Sequence, residues 1–130
     1  MKKDPRVYLA QILECAQQIA AYTTDGQKAF LADPKTQDAV IRKFEIIGEA
    51  AKRVPEEYRQ EHAEIPWRGL ATFRDVLIHQ YEGVDLSEVW RIVEAELPQL
   101  TGAIKAILPP LEQLEKELAG EEGDELHQIG

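Results

Sequence analysis

Cysteine, positive charge and long apolar runs are all scarce in this chain. Cys15 is the single cysteine, so no intrachain disulfide can form. A lone thiol in an apolar helical stripe reads as an inert buried residue, and such cysteine usage points to a cytoplasmic location. No apolar run approaches the roughly 18 residues needed to span a bilayer. The polar start Met1-Lys2-Lys3-Asp4-Pro5 lacks the apolar core of a signal peptide, so none is expected. Fifteen Lys and Arg face 24 Asp and Glu, for a formal charge of -9. Four of the acids (Glu121, Glu122, Asp124, Glu125) lie at the C-terminal end, so the remaining acidity is spread along the body. This balance argues against non-specific duplex binding, which needs clustered Lys and Arg, but leaves room for a local basic cleft.

What is present is helical patterning. The 130 residues fit one domain able to bury a core without covalent staples. Asp4-Pro5 and Asp33-Pro34 each pair a capping acceptor with a proline suited to the first helical position. The first opens a stripe of Tyr8, Ile12, Cys15, Ala16 and Ile19, widened by Leu9, Leu13 and Ala20 and broken at Thr23-Thr24-Asp25-Gly26. A short helix over Gln27 to Leu31 follows. The second cap opens a long helix to about Arg53, with Val40, Phe44, Ile47, Ala51 and Val54 inward. Gly48 inside it costs roughly 1 kcal/mol against alanine, which close approach of another helix would explain.

Pro55 to Glu61 reads as a helical turn, and Trp67 to Ile78 as a third main helix with Leu70, Phe73 and Leu77 inward. Asp85-Leu86-Ser87-Glu88 has capping-box form. The helix it opens meets Pro98, which predicts a kink or the first turn of a new helix. The pattern then continues through Leu100, Ile104, Ile107, Leu111, Leu114 and Leu118 despite Pro109-Pro110. No period-two run suggests a strand. The expected fold is all-α, an antiparallel bundle of four or five main helices over residues 1–119, with an acidic, disordered tail over 120–130.

Few residue groups could carry chemistry. None of His62, His79 and His127 has Glu three residues before it, as helical dinuclear metal sites require. One cysteine and scattered histidines support no zinc site, and no phosphate-binding glycine loop is present. No metal or cofactor is therefore expected. The remaining segment is Arg74-Asp75-Val76-Leu77-Ile78-His79-Gln80-Tyr81. On a continuous helix Arg74 and Tyr81 share a face, while His79 points roughly 140° from Arg74. A helix ending near Ile78 would let the backbone rotate His79 back. Histidine can move a proton near neutral pH, and arginine presents a fixed fork to phosphate, so the pair suits RNA cleavage by the RNA's own 2′-hydroxyl. Spacing alone favours a plainer account. There, Arg74 pairs with Asp75 or Glu82, His79 caps a carbonyl, and Tyr81 fills a junction.

The segment resembles the Arg-x4-His-x-Tyr signature of HepT-like toxins in the HEPN superfamily. Arg42-Lys43-Phe44-Glu45-Ile46-Ile47-Gly48-Glu49-Ala50, Ile65-Pro66-Trp67-Arg68, Val84-Asp85-Leu86 and Val89-Trp90 are similar to further landmarks of that family. The resemblance runs from about Asp4 to Leu108. It implies a HEPN-type homodimer in which two motifs build one RNA-cleaving cleft. Arg74 and His79 would be the catalytic pair and Asp75 the residue that orients Arg74. It also implies an MntA-like minimal nucleotidyltransferase antitoxin that transfers AMP to Tyr81, where added charge and bulk would block RNA. Arg68, Lys52 and Arg53 are candidate RNA contacts that with Arg74 could offset the acidic charge, and Trp67 and Tyr81 are the only evident base-stacking groups. Two other expectations stay open. One is a non-catalytic helical dimer that binds a nucleotidyltransferase or nucleotide; the other is a structural oligomerisation domain.

Overall fold

The structure is a computed structural model, and it describes residues 4–80, 83–110 and 112–120. All regular structure among these residues is helical. Helix α1 (Pro5–Tyr22) begins as the cap signal predicts, with Asp4 Oδ1 accepting the Arg6 backbone N–H at 2.9 Å. Leu9, Ile12, Leu13, Cys15, Ala16 and Ile19 form its buried stripe. Gly26 takes a φ of 92°, a left-handed turn that glycine adopts without side-chain strain, and α2 (Gln27–Ala32) follows. Asp33 then caps α3 (Pro34–Arg53) by accepting the Lys35 N–H at 3.1 Å.

Helix α4 (Glu56–Glu61) is short, and α5 (Trp67–His79) carries the candidate site. The central α3 packs against α1 on one side and α5 on the other. Asp85 caps α6 (Leu86–Arg91) by accepting the Glu88 N–H at 3.2 Å. Only that half of the capping box forms with a measured bond, because the Glu88 carboxylate turns to Arg91 at 2.7 Å. Phe30 of α2 sits against Trp90 of α6, with ring centroids 5.6 Å apart.

Pro98 stands in the first turn of a new helix, one of the two outcomes its place in the sequence predicts. A π-helical turn, Ile92–Glu96, joins α6 directly to α7 (Leu97–Ile107), and the joining residues keep right-handed helical dihedrals. Proline has no N–H for an α-helical bond and crowds the carbonyl four residues back. A widened turn just before it lets the backbone absorb both defects. The apolar pattern beyond Ile107 does continue, but not in one helix. Leu108 is extended (φ -97°, ψ 142°), as a residue before proline prefers, and a separate helical segment covers 112–120. Leu114 of that segment is fully buried. Arg6 ties it to the start of α1, donating to Glu117 at 2.8 Å and Asp4 at 2.6 Å. The acidic stretch 121–130 lies outside the described residues.

Candidate active site

Helix α5 takes its position from α3. Gly48 leaves room for the helix backbones to approach: a Cβ there would lie 2.7 Å from the Leu70 carbonyl oxygen. The expectation that Gly48 marks a close helix contact is met, and the neighbour is α5 itself. Leu77 is buried, and Phe73 meets Phe44 of α3 edge to face at 5.2 Å. At its start, Trp67 is buried and its indole N–H donates to the Arg59 and His62 carbonyls at 3.2 and 3.0 Å. That ring is therefore core, not the base-stacking platform its motif suggested.

Arg74 stands about one quarter exposed on α5, with its stem against Gly48. Its Nη1 donates to Asp75 Oδ1 at 3.0 Å, while Nε is buried with no hydrogen-bond partner among the described residues. Asp75 Oδ1 also accepts from Lys52 Nζ of α3 at 2.9 Å. Lys52 first, and Arg74 with it, hold the Asp75 carboxyl below the usual aspartate range by donating to its charged form.

His79 does not turn back toward Arg74. It is the last residue of α5 and still in helical register, since Gln80 donates to the Val76 carbonyl at 3.1 Å. Five helical residues place it about 140° around the helix and about 7.5 Å along it from Arg74. The rotation expected from an end near Ile78 is thus overturned by one further helical turn bond. The His79 side chain is exposed and, among the described residues, makes no hydrogen bond or ion pair. Arg68 and Val76 are exposed on the same broad side of α5. Tyr81 lies outside the described residues.

The candidate RNA contacts do not gather around Arg74 as free cations within one chain. Lys52 is engaged by Asp75, Arg53 is paired with Glu49 at 2.9 Å, and Arg68 lies about 120° around α5 from Arg74. The Lys52–Asp75 contact was not read from the sequence. Its partners are 23 residues apart on different helices, and no local pattern signals it. A concavity of about 450 Å³ between α3, α5 and α7 is lined by Phe44, Leu70, Phe73, Leu97 and Leu100, and contains neither Arg74 nor His79. Among the described residues no group of three His, Cys, Asp or Glu is placed to hold a metal ion. No helix among them is long and apolar enough to cross a membrane.

Fold and site together define an all-helical protein that presents an Arg-x4-His pair from a single helix. The family model described as "Ribonuclease HepT-like" matches residues 12–107. The chain belongs to this HepT-like family of the HEPN superfamily. It is 44% identical over 108 residues to "Probable ribonuclease HepT" of Thermococcus cleftensis, covering 82% of this chain and 98% of that protein. It is also 44% identical over 117 residues to "Gamma-glutamylcyclotransferase and putative RNase MJ0434" of Methanocaldococcus jannaschii, covering 89% of this chain and 51% of that one. This chain thus spans about half the length of the latter relative. "Putative RNase TTE0752" of Caldanaerobacter subterraneus subsp. tengcongensis is 41% identical over 107 residues, covering 82% of this chain and 96% of that protein. No solved structure matches.

Proposed function

We propose that this protein is a metal-independent endoribonuclease that acts as the toxin of a toxin–antitoxin pair. The observation that carries the reading is an exposed, unengaged His79 on the same helix as a phosphate-suited Arg74, in a chain of the HepT-like family. Relatives bearing ribonuclease names support the substrate class.

The nucleophile in this reaction belongs to the RNA. His79 takes the proton of a ribose 2′-hydroxyl, and the 2′-oxygen bonds to the adjacent phosphorus. The bond from phosphorus to the 5′-oxygen breaks, and that oxygen leaves by taking a proton from water, while His79 returns its own proton to solvent. The products are a 2′,3′-cyclic phosphate and a 5′-hydroxyl. Arg74 donates to the non-bridging oxygens, where charge grows in the transition state. Asp75 orients Arg74 through the 3.0 Å bond.

The 140° separation of Arg74 and His79 on one helix supports a homodimer, in which the arginine of one protomer and the histidine of its partner face the same phosphate. Arg68 and Arg53 remain candidate RNA contacts in that assembly. The expected partner is a minimal nucleotidyltransferase antitoxin that places AMP on Tyr81, and the compartment is the cytoplasm. A non-catalytic dimer that binds such a partner is the second reading. The engaged Lys52 and Arg53 favour it, since both spend charge inside the molecule.

Labelled single-stranded RNA, incubated with purified protein in EDTA beside His79→Ala, separates the two. Cyclic-phosphate ends from the wild type alone support the ribonuclease. Equal inactivity of both supports the binding module.

A further inference from the structure

The cluster of Lys52, Asp75 and Arg74 joins two helices through one oxygen atom. Lys52 Nζ and Arg74 Nη1 both donate to Asp75 Oδ1, at 2.9 and 3.0 Å. Arg74 and Asp75 alone would form a neutral pair. A neutral pair offers a phosphate only a dipole, and its aspartate would repel the same oxygens the arginine attracts. Adding Lys52 gives the cluster a net charge of one, positive. Its placement follows from the helix contact below it. Gly48 brings α3 against the stem of Arg74, and Lys52 lies one turn further along α3, beside the residue that follows Arg74.

We propose that Lys52 is a positioning residue for Arg74: by sharing Asp75 Oδ1 from α3, it holds the aspartate in place and keeps the cluster net positive toward an RNA phosphate. The inference rests on Arg74 being the phosphate-binding group of the proposed ribonuclease. It also gives Lys52 a task different from direct RNA contact, since its ammonium already faces a carboxylate.

The two tasks predict different behaviour. In Lys52→Gln the charge and the ionic hydrogen bond disappear together. The Asp75 titration midpoint, followed by carboxyl-carbon NMR, rises toward the ordinary aspartate value. RNA cleavage falls about fivefold in kcat/KM, the upper range for a partly exposed ion pair. Lys52→Arg restores both. Lys35→Gln, the same charge change in the first turn of α3, leaves both as in the wild type.

Wild-type cleavage in Lys52→Gln overturns the proposal, and leaves the ribonuclease reading intact. So does a loss of cleavage with an unmoved Asp75 midpoint, which assigns Lys52 to direct RNA contact. A wild type that cleaves nothing overturns the ribonuclease reading instead. The test then passes to fluorescence anisotropy with a fluorescein-labelled single-stranded RNA. Weaker binding by Lys52→Gln than by Lys52→Arg supports the cluster as a phosphate site, and equal binding overturns it.

Discussion

A Cβ placed on Gly48 of α3 would sit 2.3 Å from the Arg74 Cβ of α5. That is closer than any two non-bonded carbons can rest, so the glycine sets the distance between the two helices at the site itself. In Gly48→Ala the helices must part or Arg74 must move. Overpacking of this kind costs typically 1–3 kcal/mol, offset by roughly 1 kcal/mol of better helix propensity. The expected result is a net loss of stability of up to about 2 kcal/mol by urea denaturation, with a fall in RNA cleavage beyond what that loss explains. A variant at least as stable as the wild type would show that the contact yields freely.

The separation of Arg74 and His79 on α5 makes a prediction about assembly. Arg74→Ala and His79→Ala should each lose about 10²- to 10⁴-fold in cleavage rate. His79 is exposed, so His79→Ala should keep the wild-type helix content by circular dichroism. Mixing the two inactive proteins under conditions that exchange protomers should restore part of the activity, because some mixed dimers combine an intact arginine with an intact histidine across the interface. No recovery despite verified exchange would place both groups in one protomer.

Acid should weaken the start of α1. The Arg6 guanidinium, hydrogen-bonded to Asp4, holds that carboxyl below its ordinary value. A depressed carboxylate contributes stability above its unfolded-state value and loses it as pH falls through the folded one. Asp4→Asn keeps a capping oxygen but removes the charge. It should be less stable than the wild type at neutral pH, and the gap should close on acidification below about pH 4. Urea midpoints across pH read this directly; a gap that stays constant would assign the effect to the cap alone.

Cys15 offers a probe of the core. It is 4% exposed, and burial pushes its thiol up from the ordinary value. A disulfide reagent should modify it slowly in the native protein, at a rate that rises with urea as the molecule opens. Rapid labelling without denaturant would mean that α1 leaves the core locally.

The helices were largely legible because their signals are local. Asp4-Pro5 and Asp33-Pro34 begin helices as read, and both caps make the expected bond. Ala20, placed at the edge of the first stripe, is exposed, since the stripe narrows toward the end of α1. The π turn was not legible: Pro98 announces the first turn of a helix, and no local pattern announces the widened turn before it. The candidate pair was legible as residues and not as geometry. One additional helical residue at His79 changed where its ring can point. Lys52 reads from the sequence as a candidate RNA contact because its aspartate is distant in sequence, and only the α3–α5 contact brings them together.

The Arg6 bridge to Glu117 has a consequence for how this unit can be joined to others. It brings the first described helix and the last helical segment to one corner of the molecule. A domain fused before α1 or after residue 120 would set out from the same corner. The Methanocaldococcus jannaschii relative, about half of which lies outside the matched part, shows that such a unit can exist within a longer chain.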